Sequence, residues 1–309
     1  MQRMIIDTDP GVDDAHAIMM AFAHPDAQIE ALTTVAGNVS LERTTANACT
    51  ILDMLGKDVP IYAGCQSAFI GADGYDAAEV HGKDGLGDAG FPPSQRRVEA
   101  EHASQALVRL ANESPGEITL VTIGPLTNVA VALKLDPDLP QKFKKLVAMG
   151  GAIRAQGNTP NLSAEFNFYS DPEAAHIVFE AWPELTLISW ETTVAHGFSQ
   201  ETLQTWLEMD TPRAEFFKRI TRKTIDFITA LLGHPMLFGA DALALAVALE
   251  PDIVEEAEKR HVTIELHGQH TRGQTVVDWM GLSGRTPNTN IILKVNYERF
   301  LELMTQGLA

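Results

Sequence analysis

Short apolar runs alternate with helical patterns through the first two-thirds of the chain. Six runs predict strands: RMIID (3–7), IEALTTV (29–35), VPIY (59–62), ITLVTI (118–123), LVAMG (146–150) and LTLISW (185–190). Amphipathic spacing between them predicts crossover helices over 13–23, 41–56, 100–113, 126–135 and 171–181. Because the strands are apolar throughout rather than alternating, they indicate a parallel sheet that is buried on both faces.

The last third of the chain is helical at first and then returns to strands. Helical patterns cover SQETLQTWLEM (199–209), PRAEFFKRITRKTIDFITALL (212–232) and ADALALAVALE (240–250). Strand-like runs follow at HVTIELHG (261–268), QTVVDW (274–279) and NIILKVN (290–296), before a last helix near 297–306. No repeat or low-complexity linker interrupts the pattern. We therefore expect residues 1–309 to form a single α/β domain with an open, mostly parallel sheet flanked by helices, a Rossmann-like arrangement.

Composition narrows the class of partner. The formal net charge is −18, and 45% of the residues are hydrophobic. No run of Lys or Arg is present to follow phosphates, which excludes nucleic acid and anionic membrane as favoured partners and points to a small molecule. The chain enters its first strand at once and has no stretch as long as a membrane span, so we expect a cytoplasmic protein. Cys49 and Cys65 lack metal-ligand spacing and are expected to be free thiols.

Four aspartates crowd into DTDPGVDDA directly after the first predicted strand. Two unit charges about 4 Å apart repel by about 4 kcal/mol at an effective dielectric near 20, whereas a helix N-terminus stabilises an anion by only about 0.3 to 1 kcal/mol. A bound cation is therefore expected, and oxygen ligands favour Ca²⁺ or Mg²⁺ over zinc. Ile18 stands where an EF-hand needs its closing Glu, which excludes that loop. The alternative is that Asp7 bonds backbone, Asp13 caps the helix, and Asp9 and Asp14 face water.

Polar or glycine-containing turns follow four of the predicted strands. These are Asp7 and Asp9 after the first strand, Gly37-Asn38 after the second, Ile123-Gly124 after the fourth, and Met149-Gly150-Gly151 after the fifth. The carboxyl ends of parallel strands meet at one edge of a sheet, where ligands bind in open α/β folds. We therefore expect these turns to share one edge and to form the site.

A series of motifs along the chain carries a family resemblance. They are DTDPGVDDA, TTVAGN (33–38), TIGPLTN (122–128), MGG (149–151), AEFN (164–167) followed by DPEAA (171–175), and GAD (239–241). In this order they resemble the inosine-uridine-preferring nucleoside hydrolase family over nearly the whole chain. The resemblance implies the nucleoside hydrolase fold, calcium-dependent hydrolysis of the N-glycosidic bond of ribonucleosides to ribose and free base, and a homodimer or homotetramer.

The resemblance also implies roles for the residues at matching positions. Asp9, Asp14, Asp241 and the backbone carbonyl of Ile123 would hold Ca²⁺, and Asp9 would take a proton from the calcium-bound water that attacks the anomeric carbon. Substrate binding would fall to Asp13, Asn38, Met149, Asn158, Glu165, Phe166 and Asn167, most of them at the ribose hydroxyls. The chemistry is consistent with this, since carboxylates stabilise the positive charge that develops on a sugar as its base leaves.

The chain departs from the family pattern next to the last metal ligand. Ala240 stands where the family has a His that protonates the leaving base, and a methyl group cannot donate a proton. His81, in EVHGKDGLG, matches a loop histidine near the base and is the first candidate for a catalytic contact to the base. His234 and Tyr75 are weaker candidates for base binding. Trp190, Trp206, Trp279 and Phe238 could stack on a base, but such aromatics lie more often in a core or an interface.

Three alternatives stay open. Asp7-x-Asp9 after a first strand is also typical of a Mg²⁺-dependent phosphohydrolase, although matching Lys and Thr motifs are missing. A protein that binds a nucleoside or ribose without turnover is conceivable because of Ala240. Within the site, NTPNLSAEFN is one residue longer than the usual pattern, so Asn161 could take the role of Asn158.

Overall fold

The fold is built from strands and helices that alternate along the chain. The computed structural model describes residues 1–71 and 76–309. The first half contains β1 (Gln2–Thr8), α1 (Val12–Ala23), β2 (Ala27–Thr34), α2 (Leu41–Leu55), β3 (Ile61–Ala63), α3 (Ala78–His81), α4 (Ala103–Glu113), β4 (Thr119–Thr122), α5 (Thr127–Leu135), α6 (Leu139–Lys142) and β5 (Lys145–Met149). The second half contains α7 (Phe166–Ser170), α8 (Pro172–Ala181), β6 (Leu185–Ile188), α9 (Trp190–Ala195), α10 (Gln200–Leu207), α11 (Pro212–Leu232), α12 (Ala240–Leu249), β7 (Val254–Arg260), β8 (Val262–Ile264), β9 (Thr275–Val277), β10 (Thr289–Val295) and α13 (Tyr297–Leu308).

The main sheet has eight strands in the described part of the chain, in the order β3-β2-β1-β4-β5-β6-β10-β7. Neighbouring strands are parallel except β10 and β7, which pair antiparallel. The predicted mostly parallel sheet is therefore confirmed. The strand order reverses between β1 and β4, and the crevice beyond the carboxyl ends of two such strands is where open α/β sheets bind ligands.

The sheet is buried on both faces, as its apolar strands predict. Alternate residues of one strand enter different core clusters: Val121 packs on one face of β4 and Leu120 on the other. The two cysteines are free, as predicted. Within the described residues, no helix is both long enough and apolar enough to cross a membrane.

One predicted strand is too long, two predicted runs form strands outside the main sheet, and one strand was not predicted. β6 ends at Ile188, because the Ser189 hydroxyl accepts a hydrogen bond from the amide of Thr192 and caps α9, so Ser189 and Trp190 are not in a strand. HVTIELHG and QTVVDW supply β8 and β9, which form a separate two-stranded antiparallel sheet. The charged segment VEEAEKR was not predicted as a strand but forms β7 at the edge of the main sheet.

Helices α1, α12 and α13 pack together on one face of the sheet. At the carboxyl ends of α1 and α12, His24 Nε2 lies 3.0 Å from Glu250 Oε1. Arg299 of α13 donates two hydrogen bonds to the same carboxylate, at 2.8 and 2.6 Å. These bonds from Arg299 are the main reason that the pKa of Glu250 is lowered to about 2. The ends of α1 and α12 are therefore held together by one shared carboxylate.

Candidate active site and metal centre

Carboxylates from two distant parts of the chain converge beyond the ends of β1 and β4. Asp13 and Asp14 lie in the first turn of α1, as predicted, and Asp241 lies in the first turn of α12. One oxygen from each of these three carboxylates lies within 4.8 Å of the others. Two helix N-termini therefore face the cluster, where their dipoles stabilise negative charge.

Hydrogen bonds from the turn after β1 and the turn after β2 fix two of the carboxylates. Asp14 accepts from the Thr8 hydroxyl, from the Gly11 amide at 2.8 Å and from Asn38 Nδ2 at 3.1 Å. Asp9 accepts from the Asn38 amide at 2.7 Å, and Asn38 Nδ2 also donates to the Asp9 carbonyl. Both side chains are buried, so the alternative in which Asp9 and Asp14 face water is wrong.

Asp7 lies in β1, within the predicted strand RMIID rather than in the turn after it. The alternative in which it bonds backbone is wrong, because it accepts from the Thr33 hydroxyl and from Asn128 Nδ2 at 2.8 Å. Burial raises the pKa of Asp7 to about 7, and these two hydrogen bonds act against that shift. Asp7 therefore joins β1 to β2 and to the first turn of α5 beside the cluster.

The cluster carries more negative charge than its surroundings balance. Burial, followed by the neighbouring carboxylates, raises the pKa of Asp14 to about 6, and burial raises that of Asp13 to about 6. Burial also raises the pKa of Asp9 and of Asp241 well above the usual range, and neighbouring acids add to the shift. In the described part of the chain, Asp9 Oδ1 and Asp13 Oδ1 are buried without a hydrogen-bond partner. This set of hard oxygen atoms fits a divalent cation.

A second group of polar atoms surrounds the cluster at the ends of β4 and β5. Asn167 Nδ2 lies 3.3 Å from the carbonyl oxygens of both Ile123 and Met149. Glu165 caps α7 by accepting from the Asn167 amide at 3.0 Å, and it accepts from the Gly151 amide at 2.8 Å. Burial raises the pKa of Glu165 to about 7, although these amides favour its charged form. The turns predicted to share one edge do so.

The structure also distinguishes the two asparagines of NTPNLSAEFN. Asn158 lines the cavity beside the cluster, and its Oδ1 accepts from the Phe166 amide at 2.9 Å. Asn161 lies elsewhere, because its side chain accepts from the Ala164 amide and donates to the Arg272 carbonyl. Phe166 lines the same cavity as Asn158. Asn158 is therefore the better candidate for contacting a ligand.

The cavity itself has a volume of about 650 Å³, within the range of small-molecule sites. Its polar end contains Asp13, Asn38, Ile123, Met149, Asn158, Glu165, Asn167 and Asp241, and its other walls are mainly apolar. No Lys or Arg of the described segments lines it. The cavity therefore favours a ligand that is neutral or becomes positively charged.

His81 lines the cavity at the end of α3. Its Nδ1 accepts from the Val12 amide at 3.1 Å and lies 3.6 Å from Asp13 Oδ1. Burial lowers the pKa of His81 to about 4, so the ring is neutral at pH 7 and carries its hydrogen on Nε2. His234 is exposed and does not line the cavity, and Tyr75 lies outside the described residues.

Comparison with known proteins identifies the family. The model of the family described as inosine-uridine preferring nucleoside hydrolase matches residues 4–302. The chain belongs to this nucleoside hydrolase family. It is 34% identical over 314 residues to the inosine-uridine preferring nucleoside hydrolase of Leishmania major, covering 99% of this chain and 97% of that protein. It is 33% identical over 308 residues to the pyrimidine-specific ribonucleoside hydrolase RihB of Escherichia coli strain K12, covering 99% and 96%.

A solved structure agrees with this assignment. The purine-preferring ribonucleoside hydrolase from Gardnerella vaginalis superposes with a TM-score of 0.91 at 30% identity, covering 99% of this chain and 98% of that one. The resemblance read from the motifs is confirmed, and so are the fold class and the enzyme class, an N-glycosyl hydrolase acting on nucleosides. The names of these relatives include both pyrimidine-specific and purine-preferring enzymes.

Several residues of the nucleoside hydrolase site escaped the sequence analysis. The Thr8 hydroxyl bonds Asp14, and His16 lines the cavity one helical turn after Val12. In the sequence, the only indication that His16 faces the cavity is its position one helical turn after Val12. Trp190, Trp206 and Phe238 line the cavity and at the same time belong to the core cluster or pack against it, so the expected core role holds, whereas Trp279 does not line the cavity.

Proposed function

We propose that this nucleoside hydrolase cleaves ribonucleosides with the help of a Ca²⁺ ion. Asp9, Asp14, Asp241 and the Ile123 carbonyl would hold the ion, with an oxygen of Asp13 in reach. The observation that carries the proposal is the convergence of buried Asp14 and Asp241 with half-buried Asp13, beside buried Asp9. No Lys or Arg of the described residues lines the cavity to balance their charge. Several carboxylates and a backbone carbonyl suit the high coordination number of Ca²⁺ better than the smaller, partly hydrated Mg²⁺.

The carboxylates would serve both the attack on the sugar and the stabilisation of its charge. A bound Ca²⁺ would supply an oriented water molecule of lowered pKa. As the bond between C1′ and the base broke, its electrons would leave with the base, the water oxygen would bond C1′, Asp9 would take the water proton, and the base would gain a proton from solvent. Geometry supports this role, because Asp9 Oδ2 accepts from the Asn38 amide while Oδ1 has no hydrogen-bond partner among the described residues. The positive charge on the ribosyl group would be stabilised by Asp13 and Asp241.

The polar end of the cavity would hold the ribose. Asp13, Asn38, Glu165 and Asn167 would bind its hydroxyl groups, with Met149, Asn158 and Phe166 beside them. Support comes from the hydrogen bonds that fix Glu165 and Asn167, because a preorganised polar group binds without further cost of ordering. A substrate without its 2′-hydroxyl would leave buried polar groups unpaired.

The leaving base would contact His81. The neutral ring offers its Nε2 hydrogen, since Nδ1 is occupied by the Val12 amide. Ala240, which lines the same cavity, offers no proton donor. His81 would therefore orient or hydrogen-bond the base as it departs.

The test is a panel of ribonucleosides and 2′-deoxyribonucleosides assayed for reducing sugar, with and without EDTA. We expect ribonucleosides to be cleaved, deoxy analogues to react poorly, and Ca²⁺ to restore activity after chelation. Asp241→Asn should lose Ca²⁺ binding in calorimetry, whereas Asp252→Asn at an exposed position should not. Release of phosphate from sugar phosphates without cleavage of nucleosides would favour a phosphohydrolase instead. Tight nucleoside binding without release of sugar would favour a sensor.

We also propose that the protein assembles as a homodimer or homotetramer. Support comes from exposed apolar side chains around the small sheet, where Met280 and Leu282 are 80% and 81% exposed. Light scattering on the purified protein tests this. A monomer across the micromolar range would contradict it.

A further inference from the structure

His16 lies in the cavity but has no part in the hydrolysis described above. It follows Val12 by one turn of α1, and both residues line the cavity. Its side chain is buried, with ring centroids 4.6 Å from Phe217 and 5.3 Å from Trp206. Buried polar groups are normally hydrogen-bonded, so the partners of both ring nitrogens of His16 must be accounted for.

One hydrogen bond decides which nitrogen of His16 carries the hydrogen. Nε2 lies 3.1 Å from the Met304 carbonyl oxygen. A carbonyl can only accept, so Nε2 is the donor, and in the neutral ring Nδ1 is left with a lone pair. Within residues 1–71 and 76–309, no donor meets this Nδ1. This Nδ1 is not among the fully buried unpartnered atoms of the described residues, so it is open to the cavity, where a ligand or a water molecule can donate to it.

Two threonines of α11 also place hydrogen-bond acceptors on the part of the cavity wall that contains His16. The Thr221 hydroxyl donates to the Phe217 carbonyl at 2.7 Å, and the Thr224 hydroxyl donates to the Val80 carbonyl at 2.9 Å. With their hydrogens committed, both oxygens offer only lone pairs to the cavity. His16, Thr221 and Thr224 together form what we name the acceptor wall.

The acceptor wall is continuous with the end of the cavity where the base would leave. A Cβ placed on Gly239 would lie 2.8 Å from the Phe198 ring and 3.2 Å from Met304 Cε, so the residues around His16 reach the start of α12. Ala240 follows, and Asp241 comes next. Ala240 lines the same cavity as His16 and Asp241, and its methyl group takes up little of that space.

Resting on the proposed function, we propose that His16 is a specificity-determining residue that accepts a hydrogen bond from an N–H group of the nucleobase. Uracil N3, hypoxanthine N1 and the amino groups of cytosine and adenine are donors of this kind. Methylation removes the hydrogen and leaves the lone pair of Nδ1 unpaired. A site built to hydrogen-bond a substrate group discriminates strongly against analogues that lack it.

The experiment compares four pairs of substrates at pH 8, where an ordinary imidazole is uncharged. The pairs are uridine with 3-methyluridine, inosine with 1-methylinosine, cytidine with N4,N4-dimethylcytidine, and adenosine with N6,N6-dimethyladenosine. For at least one pair we expect the wild type to prefer the parent by tenfold or more in kcat/KM. His16→Phe, which keeps an aromatic ring, should lower that kcat/KM about tenfold and bring the preference within threefold of unity. His16→Asn, which keeps an acceptor, should restore part of the preference, and the exposed control His267→Phe should change nothing.

Contrary results separate the two proposals. A wild type without preference in any pair, or a His16→Phe preference unchanged in every pair, overturns the role of His16 while ribose release remains intact. A wild type that releases ribose from none of the parents overturns the proposed function itself. If thermal melting shows that His16→Phe does not fold, the wild-type ratios and His16→Asn decide, because an Asn variant without partial preference contradicts the role.

Discussion

Gly37→Ala should disable the carboxylate cluster without adding or removing a charge. A Cβ at residue 37 would lie 2.0 Å from Asp9 Oδ2 and 2.9 Å from Pro125 Cδ, closer than nonbonded atoms approach. The carboxylate must move by about 1 Å, which breaks its 2.7 Å bond from the Asn38 amide. A shift of about 1 Å in a reacting group can cost about 10²-fold in rate. The lost hydrogen bond to a charged group should cost about 1.5 to 3 kcal/mol of stability, which leaves an ordinary domain folded.

The assay is kcat/KM for release of reducing sugar, with a denaturant titration for stability. Gly71→Ala is the matched control, because a Cβ there would meet no atom of residues 1–71 and 76–309 within 4 Å. We expect the control to match the wild type and Gly37→Ala to fall about 100-fold. Activity of Gly37→Ala within threefold of the wild type would refute the argument that the position of Asp9 controls the reaction.

The other predictions concern single groups of the same site. Asp9→Asn should lower kcat by about 10² to 10⁴-fold with KM nearly unchanged, and an unaltered kcat would show that Asp9 takes no proton. His81→Ala should lower kcat/KM for the preferred nucleoside, whereas a change below twofold for every nucleoside would remove His81 from base contact. The raised pKa values of Asp14 and Glu165, about 6 and 7, mean that the metal-free fold keeps protons that the unfolded chain has released, so stability falls as pH rises from about 4 to 7. Ca²⁺ should therefore raise the melting temperature more at pH 8 than at pH 5, and equal shifts would contradict this.

The parts of the fold that could be predicted are those buried on both faces. ITLVTI is apolar because β4 lies between two layers of helices, and its pattern leaves little choice. β7 gave no such signal, since an edge strand needs only backbone bonds to β10 while its charged side chains remain largely in water. LTLISW was overextended because its last two residues are compatible with a strand until the Ser189 hydroxyl caps α9.

The residues of the site were predicted from motifs more than from local patterns of charge and hydrophobicity. Asp14 and Asp241 are far apart in the chain, and no local pattern says that α1 and α12 begin side by side. The side-chain partners of Asp7 were not predicted, because charge density alone does not show which carboxylate is satisfied by a neighbouring strand, as Asp7 is by Thr33. A lone His on an apolar helix face, such as His16, cannot be told from a core residue until its neighbours are known.

The Glu250 carboxylate contacts both His24 and Arg299 at the end of α1 that lies away from the acidic cluster. α1 has 12 residues, so it extends about 18 Å from the acidic cluster to this ion pair. Repulsion between Asp14 and Asp241 tends to separate the amino ends of α1 and α12. At the opposite ends of these helices, Glu250 holds His24 in a hydrogen bond. The two helices are thus bonded to each other at their carboxyl ends and carry repelling charges at their amino ends. Substitution of Arg299 would remove two hydrogen bonds that fix the Glu250 carboxylate against His24, although Arg299 does not line the cavity.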